Sequence, residues 1–207
     1  EISMGLAALG LAPGDCAAIV ANTRLEWLLA DLAILSAGGV TNGIYPTDAP
    51  QQLQFLCEDS GARVLFVEND EQLDKALEVR AFLPRLEHIV VFDMAGLRTF
   101  ADPRVTSLAQ LRERGSAHDR ANPGLFEARL ASRGPKDLAI LVYTSGTTGR
   151  PKGAMHSHAG LVFAARSTNR SLHQDARDDR VCFLPLCHIA ERIVGAYSSL
   201  DCGAVMN

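Results

Sequence analysis

The chain has 207 residues, of which 47% are hydrophobic and 21% are charged, a composition typical of a soluble, packed globular protein. Its net charge of −4, without any basic run, argues against nucleic acid as a partner. No stretch approaches the roughly 20 apolar residues that span a bilayer, and the first residues lack the features of a signal peptide, so a cytoplasmic location is expected. Five scattered cysteines without a CxxC pair predict buried thiols and not a disulfide framework or a zinc site.

In the first half of the chain, apolar runs alternate with amphipathic stretches that have helical periodicity. The predicted strands comprise residues 16–21, 40–46, 62–68 and 88–93, and the predicted helices comprise residues 24–37, 49–60 and 70–83. Asn22 or Thr23 is predicted to cap the first of these helices. Strands that alternate with helices indicate an α/β fold with a mostly parallel sheet, covered by helices on both faces.

Residues 96–136 interrupt this alternation, because they are rich in charged and small residues and contain few long apolar runs. They predict a connection with two short surface helices, at residues 107–114 and 124–132. The alternation then resumes, with predicted strands at 138–143, 180–186 and 204–206 and predicted helices at 158–169 and 189–200. Since the sequence begins within a predicted helix and ends in a predicted strand, we expect it to be a piece of a larger domain.

A loop rich in hydroxyl side chains, YTSGTTGRPKG (residues 143–153), is predicted to lie between a strand and a helix. Backbone N–H groups in such a loop are free to surround a polyanion, and the hydroxyls add short hydrogen bonds. The alternative interpretation is a flexible polar surface loop. The candidate ligand-binding residues are the hydroxyl side chains, two glycines and one lysine: Thr144, Ser145, Gly146, Thr147, Thr148, Gly149 and Lys152.

The position of Pro151 distinguishes this loop from the P-loop of nucleoside triphosphatases. In a P-loop, lysine directly follows glycine and a hydroxyl residue follows the lysine, whereas here Pro151 precedes Lys152 and Gly153 follows it. Proline fixes its own φ and disfavours the α conformation at Arg150, so the loop cannot run straight into a helix. The sequence therefore predicts a different way of holding phosphates.

Two stretches of the sequence resemble a known family. YTSGTTGRPKGAM (residues 143–155) resembles the signature loop of the adenylate-forming superfamily, which includes acyl-CoA synthetases, luciferases and peptide-synthetase adenylation domains. FLPLCHIAER (residues 183–192) is similar to a segment of long-chain fatty acyl-CoA synthetases, and this likeness implies that His188 borders the acyl pocket. The resemblance implies that residues 1–207 are part of the large amino-terminal AMP-binding domain of the adenylate-forming fold, without the small carboxy-terminal domain.

The same resemblance implies a function, which is the activation of a long-chain fatty acid with ATP, Mg²⁺ and coenzyme A. The loop would hold the phosphates of ATP, so Thr144 and Lys152 are expected to be catalytic and residues 144–149 with Lys152 to bind the nucleotide. In this family the residues that bind magnesium and the ribose would follow residue 207, so no metal ligand is assigned and the chain alone is expected to be inactive. Any peripheral association with a membrane would use regions outside this chain.

Several of these features also have simpler interpretations. Without the family, His188 is equally well explained as a helix-capping or core histidine. Glu191 and Arg192 are interpreted as a local ion pair, and Cys187 as a structural thiol. For the whole chain, the two further hypotheses are a non-catalytic remnant that kept the loop, and an adenylating ligase for another carboxylic acid.

Overall fold

The computed structural model describes residues 1–144 and 149–207, and seven strands of this part form one sheet in the order β5-β4-β3-β1-β2-β6-β7. All neighbouring pairs are parallel except β6 and β7, which form an antiparallel pair at one edge. The predicted α/β fold with a mostly parallel sheet is thereby confirmed. The strands are β1 (Cys16–Val20), β2 (Val40–Ile44), β3 (Val64–Val67), β4 (His88–Val91), β5 (Val105–Ser107), β6 (Leu138–Thr144) and β7 (Lys152–Ser157).

Helices connect most of these strands and cover the sheet. A π-helix, Glu191–Tyr197, runs directly into the last helix, and two short strands, β8 (Asp179–Arg180) and β9 (Val205–Met206), form a separate parallel pair. Within residues 1–144 and 149–207, no helix is both long and apolar enough to cross a membrane. The α-helices are α1 (Ile2–Ala8), α2 (Leu25–Ser36), α3 (Pro50–Ser60), α4 (Asp70–Val79), α5 (Leu108–Ala121), α6 (Leu125–Ala131), α7 (His158–Leu172) and α8 (Ser198–Cys202).

Strand β1 lies inside the sheet and is buried on both faces. Ala17 and Ile19 pack on one face with α1, α2 and α5, whereas Ala18 and Val20 pack on the other face with α3 and α4. Burial on both faces explains why the sequence of β1 is uniformly apolar and does not alternate between apolar and polar residues. The carboxyl end of β1 therefore leaves the core at a fixed position in the middle of the sheet.

Local sequence signals determine several helix ends. Helix α3 begins with Pro50 in its first turn, where proline costs no backbone hydrogen bond, and ends at Gly61, whose φ of 64° favours glycine. Helix α5 begins with a capping box, in which Ser107 and Gln110 accept hydrogen bonds from each other's backbone N–H groups. These two helices accordingly begin within a residue or two of the positions predicted from sequence.

The predicted cap of α2 is wrong. Its N-cap residue is Arg24, which makes no side-chain capping hydrogen bond. The side chain of Asn22 donates to a carboxylate oxygen of Glu68 at 2.8 Å, and the hydroxyl of Thr23 donates to the backbone carbonyl of Leu184 at 2.6 Å. Both side chains thus serve long-range contacts, which local sequence patterns do not reveal.

The loop at residues 143–153 joins two antiparallel strands. The prediction that it lies between a strand and a helix is therefore wrong. The chain returns from the loop as β7, which pairs with β6 until α7 begins at His158. β7 is an exposed edge strand, on which Met155 is 71% exposed. Its sequence therefore lacks the apolar run by which buried strands are recognised. No helix directly follows Pro151, so the prediction that the loop does not run straight into a helix is confirmed.

The predicted strand at residues 180–186 is also wrong. Only Asp179 and Arg180 pair as β8, and the chain is irregular from residue 181 to residue 188. Val181 and Phe183 are 67% and 74% exposed, so the apolar run does not enter a sheet core. The connection at residues 96–136 contains the two predicted helices, as α5 and α6, and additionally the short strand β5, which extends the sheet.

Candidate active site

A cleft of about 420 Å³ lies at the carboxyl ends of the neighbouring parallel strands β2 and β6. Its walls include Gly43 from β2, Thr144 from β6, Pro151 from the start of β7, and His188 from the irregular segment before the π-helix. In open parallel sheets, ligands bind outside the carboxyl ends of the strands. The structure therefore brings Thr144 and His188, which are 44 residues apart in sequence, to one site of the expected kind.

The two ends of the hydroxyl-rich loop are held together by the β6–β7 hairpin. Thr144 is paired directly with Lys152, and both residues are exposed. Opposed residues of an antiparallel pair project from the same face of the sheet, so the hydroxyl of Thr144 and the ammonium of Lys152 can act on one ligand. Gly149 has a φ of 117°, a conformation that favours glycine. The predicted ligand-binding residues Ser145, Gly146, Thr147 and Thr148 lie outside the described residues.

Helix α3 supports the base of this hairpin. The Tyr143 hydroxyl donates to Asp59 Oδ2 at 2.6 Å, and the Tyr143 ring meets the Phe55 ring edge-on with 6.5 Å between centroids. Burial, followed by the hydrogen bond to Asp59, raises the pKa of Tyr143, so the phenol remains a neutral donor. The Arg150 guanidinium lies 5.3 Å from the centroid of the Phe55 ring. Sequence analysis missed these supports, because no local pattern links α3 to the hairpin.

His188 is exposed at the cleft wall and also caps the helix that follows it. Its Nδ1 accepts a hydrogen bond from the backbone N–H of Ala190 at 3.1 Å, which assigns the proton of the neutral ring to Nε2. The backbone N–H of His188 donates to the carbonyl of Pro185 at 2.9 Å. The two sequence interpretations of His188, a cleft residue and a helix cap, are thus compatible in one conformation.

Gly43 allows the segment before His188 to approach β2 closely. A Cβ atom at Gly43 would lie 2.8 Å from Cys187 Cα and 3.2 Å from the Trp27 ring, distances at which neighbouring atoms would have to move. Cys187 is buried, and burial raises the pKa of its thiol to about 12, so the thiol stays protonated at neutral pH. Cys187 therefore behaves as the structural thiol that the sequence predicted, and Gly43 is a site residue that the sequence analysis did not select.

Arg192 makes a long-range ion pair and not the predicted local pair with Glu191. Its guanidinium contacts the carboxylate of Asp31 on α2, and both side chains are fully buried. The Tyr197 hydroxyl completes this cluster, since it donates to Asp31 Oδ2 at 2.7 Å and lies 3.0 Å from Arg192 Nε. Glu191 instead accepts a hydrogen bond from the backbone N–H of Leu184 at 3.2 Å. The ion pair thus joins the helical segment after His188 to α2.

The donors around the cleft fit a polyphosphate better than a metal ion. Thr144 offers a hydroxyl and Lys152 a positive charge, and both kinds of group form strong hydrogen bonds to phosphate oxygens. Asp48 also lines the cleft, and burial raises the pKa of its carboxyl above the ordinary value, because the charged form loses hydration at this position. Across residues 1–144 and 149–207, no group of three or more His, Cys, Asp and Glu residues could hold a metal ion.

Known proteins with similar sequences are acid–CoA ligases. The chain is 35% identical over 195 residues to the long-chain-fatty-acid–CoA ligase FadD15 of Mycobacterium bovis, with 93% of this chain and 30% of that protein covered. It is 31% identical over 208 residues to the long-chain-fatty-acid–CoA ligase ACSBG1 of Rattus norvegicus, with 99% of this chain and 28% of that protein covered. The chain therefore spans less than a third of the length of these relatives.

Solved structures show the same fold. The anthranilate CoA ligase AuaEII in complex with anthranoyl-AMP has a TM-score of 0.83 and 25% identity, over 99% of this chain and 37% of that chain. ATP-bound MatB from Rhodopseudomonas palustris has a TM-score of 0.76 and 22% identity, over 99% and 38% of the two chains, and shows likeness of fold alone. A family model described as AMP-binding enzyme matches residues 1–207, and the chain therefore belongs to the family of AMP-binding, adenylate-forming enzymes.

Proposed function

We propose that the full-length protein is an AMP-forming ligase that converts a long-chain fatty acid to its coenzyme A thioester. The observation that carries this proposal is the cleft whose walls include both Thr144, at the start of the hydroxyl-rich loop, and His188. Relatives named as long-chain-fatty-acid–CoA ligases, at 31–35% identity, support the choice of acid. We place its action in the cytoplasm, where ATP and coenzyme A are both supplied.

The reaction has two steps, and in each step one bond forms while another breaks. A fatty acid carboxylate oxygen attacks the α-phosphorus of ATP, and the bond to the β-phosphate oxygen breaks to release pyrophosphate. The thiolate sulfur of coenzyme A then attacks the carbonyl carbon of the acyl-adenylate, and AMP leaves with the bonding electrons. Neither step requires a covalent bond to the protein, so the protein acts by positioning the reactants and neutralising charge.

The proposed roles of the residues follow from this charge. Lys152 would neutralise negative charge on the β- and γ-phosphates, and the Thr144 hydroxyl would donate to a phosphate oxygen. For Ser145, Gly146, Thr147 and Thr148, the proposal rests on the sequence alone. Magnesium accompanying ATP would supply further charge neutralisation, and its ligands are not proposed among the residues of this chain.

His188 has a different proposed role, which concerns the fatty acid and not the phosphates. The carboxylic acid is already ionised at neutral pH, because the pKa of such acids lies roughly between 4 and 5. The first step therefore needs no proton abstraction, and we propose His188 as a wall of the acyl pocket and not as a general base. Its exposed position on the cleft fits contact with a bound substrate.

The experiment is an assay of the purified full-length protein with ATP, coenzyme A and a panel of carboxylic acids. Mass spectrometry would quantify acyl-CoA and AMP for medium-chain and long-chain fatty acids and for anthranilate. We expect equal amounts of both products, with the fastest turnover for long-chain acids. A preference for anthranilate would show that the substrate is an aromatic acid and not a fatty acid. The absence of AMP with every acid would identify a non-catalytic protein.

A matched pair of variants tests the site within the same assay. Replacing Thr144 with Val should lower turnover about 10- to 100-fold, because one donor to the developing phosphate charge is lost. The control is Thr106→Val on β5, at the opposite edge of the sheet. Equal rates for the Thr144 variant and the control would contradict the assignment of Thr144.

A further inference from the structure

The segment that carries His188 has little regular structure of its own. Between the end of β8 at Arg180 and the helical turn at residue 189, the chain forms neither a strand nor a helix. We call residues 184–188 the His188 turn. Within it Leu186 and Cys187 are buried, whereas Leu184 and His188 are exposed. Its position must therefore be fixed by contacts with other parts of the chain.

The side chain of Thr23 contacts this turn at two backbone groups. Its Oγ1 donates to the carbonyl of Leu184 at 2.6 Å and accepts from the N–H of Leu186 at 3.3 Å. Thr23 follows β1 in the middle of the sheet, where the preceding backbone is held on both faces. One hydroxyl thus serves as donor and acceptor and joins the turn to a rigid part of the fold.

Other contacts also hold the His188 turn, at Cys187 and at the N–H of Leu184, but they do not involve the backbone groups that bind the Thr23 hydroxyl. The absence of a side chain at Gly43 lets Cys187 approach β2, and the Glu191 carboxylate accepts from the N–H of Leu184 at 3.2 Å. These contacts act at either side of Leu186. The N–H of Leu186 and the carbonyl of Leu184 have Thr23 as their partner.

We propose that Thr23 is a positioning residue that sets the location of His188 at the wall of the cleft and thereby the fatty acids that the enzyme accepts. This inference rests on the proposed function, in which His188 borders the acyl chain. Thr23 does not line the cleft itself, so it acts only through the turn. Nothing in the local sequence around Thr23 indicates this role, since the contact spans more than 160 residues.

Loss of the Thr23 hydroxyl should affect substrate recognition more than folding. The side chain is half-buried, and a valine at this position leaves the Leu184 carbonyl and the Leu186 N–H without their hydroxyl partner. The turn would then occupy several positions, and binding of the acyl chain would have to select one of them. Such a selection cost raises the apparent KM for the acid and leaves the phosphate contacts of ATP unchanged.

The test uses three variants of the full-length protein, Thr23→Val, Thr23→Ser and Thr106→Val. Valine has the shape of threonine without the hydroxyl, and serine keeps the hydroxyl. Thr106 is the matched control, because its Oγ1 also makes a hydrogen bond, to Gln110 Oε1 at 3.1 Å, but on a distant strand. Steady-state thioester formation would give KM and kcat for fatty acids of several lengths and KM for ATP.

We expect Thr23→Val to raise the KM for fatty acid about 3- to 10-fold, the effect of one lost hydrogen bond, with the KM for ATP unchanged. Thr23→Ser and Thr106→Val should behave like the wild type. An unchanged KM for every fatty acid in Thr23→Val, or the same increase in Thr23→Ser, would overturn the inference. A parallel increase in the KM for ATP would show a general structural defect and would overturn it as well.

A second readout separates this inference from the proposed function. Amide hydrogen exchange of residues 184–188 should be faster in Thr23→Val than in the wild type and in Thr106→Val, whether or not the enzyme uses fatty acids. If the wild type uses no fatty acid, the proposed function fails while this measurement still tests the hydroxyl. Unchanged exchange at Leu186 would overturn the role of Thr23.

Discussion

Replacing Asp31 with Asn should strongly destabilise the chain, because it leaves the Arg192 guanidinium charged and buried without a counter-ion. Both side chains have 0% exposure, and Arg192 cannot lose its proton. Breaking a buried ion pair by removing one partner typically costs about 3–5 kcal/mol. That is a large part of the roughly 5–15 kcal/mol that stabilises most domains. For a chain of this length the midpoint of thermal unfolding should fall by roughly 6–20 °C.

Urea unfolding of the 207-residue chain can measure this cost directly. Trp27 is its single tryptophan, and the Arg192 guanidinium lies 5.1 Å from the centroid of its ring, so Trp27 fluorescence reports on the cluster. The control is Asp74→Asn, at an exposed position on α4, which should change the free energy of unfolding by less than about 0.5 kcal/mol. The slope of free energy against urea should be unchanged in both variants.

A double variant tests the reason for the effect. Asp31→Leu combined with Arg192→Met replaces both charges by apolar groups of similar size, and such replacements are often neutral. We therefore expect the double variant to be more stable than Asp31→Asn alone. A cost below about 1 kcal/mol for Asp31→Asn, or a double variant less stable than the single one, would refute this account of the cluster.

Three further predictions concern the cleft and its surroundings. His188→Ala should raise the KM for fatty acid or change the preferred chain length, with the response to ATP unchanged. If the substitution instead abolishes turnover with every acid and removes an ionisation near neutral pH from the pH–rate profile, His188 is catalytic. Gly43→Ala should also raise the KM for fatty acid, since a Cβ atom would lie 2.8 Å from Cys187 Cα and displace the His188 turn; a crystal structure with an unmoved turn would contradict this. Burial lowers the pKa of His158 below its usual 6.5, so the free energy of unfolding should fall as pH drops through 6.5, where the unfolded chain takes up the proton first. His158→Gln should reduce that fall in urea titrations, and an equal fall would show that other groups cause it.

The sheet was predictable from sequence because its inner strands are buried on both faces. The runs around Ile19, Phe66 and Val90 are short, apolar and bounded by turns, as expected for a parallel sheet between helices. Helix ends were predictable where a residue acts locally, as Pro50 and Gly61 do at the two ends of α3. These features depend on neighbouring residues only, so the sequence reveals them.

The errors lie where exposure or long-range contacts decide the structure. β7 is an exposed edge strand, and its Gly-Ala-Met-His sequence has no apolar alternation by which it could be recognised. The apolar run after Arg180 resembles a buried strand, although Phe183 is 74% exposed. A pattern of apolar residues indicates neither whether a partner strand is present nor where a segment packs.

The two most informative contacts could have been found only in part. Asp31 lies within the apolar helix sequence LLADLAIL, and a carboxylate on such a helix requires a partner if it is buried. This signal predicts a counter-ion but does not identify Arg192. For Thr23 there was no comparable signal, because its hydroxyl was equally suited to cap α2.

The most direct test of the central claim is exchange of labelled pyrophosphate into ATP, measured with the full-length protein and a fatty acid in the absence of coenzyme A. This exchange requires reversible formation of the acyl-adenylate and does not involve the step that uses coenzyme A. We predict acid-dependent exchange that falls about 30- to 1000-fold in Lys152→Ala, which corresponds to the roughly 2–4 kcal/mol that one charge-stabilising donor supplies. Lys136→Ala, at an exposed position before the start of β6 and outside the hydroxyl-rich loop, should exchange at the wild-type rate. Exchange that does not depend on the acid, or that is unchanged in Lys152→Ala, would contradict the assignment of this loop to the phosphates of ATP.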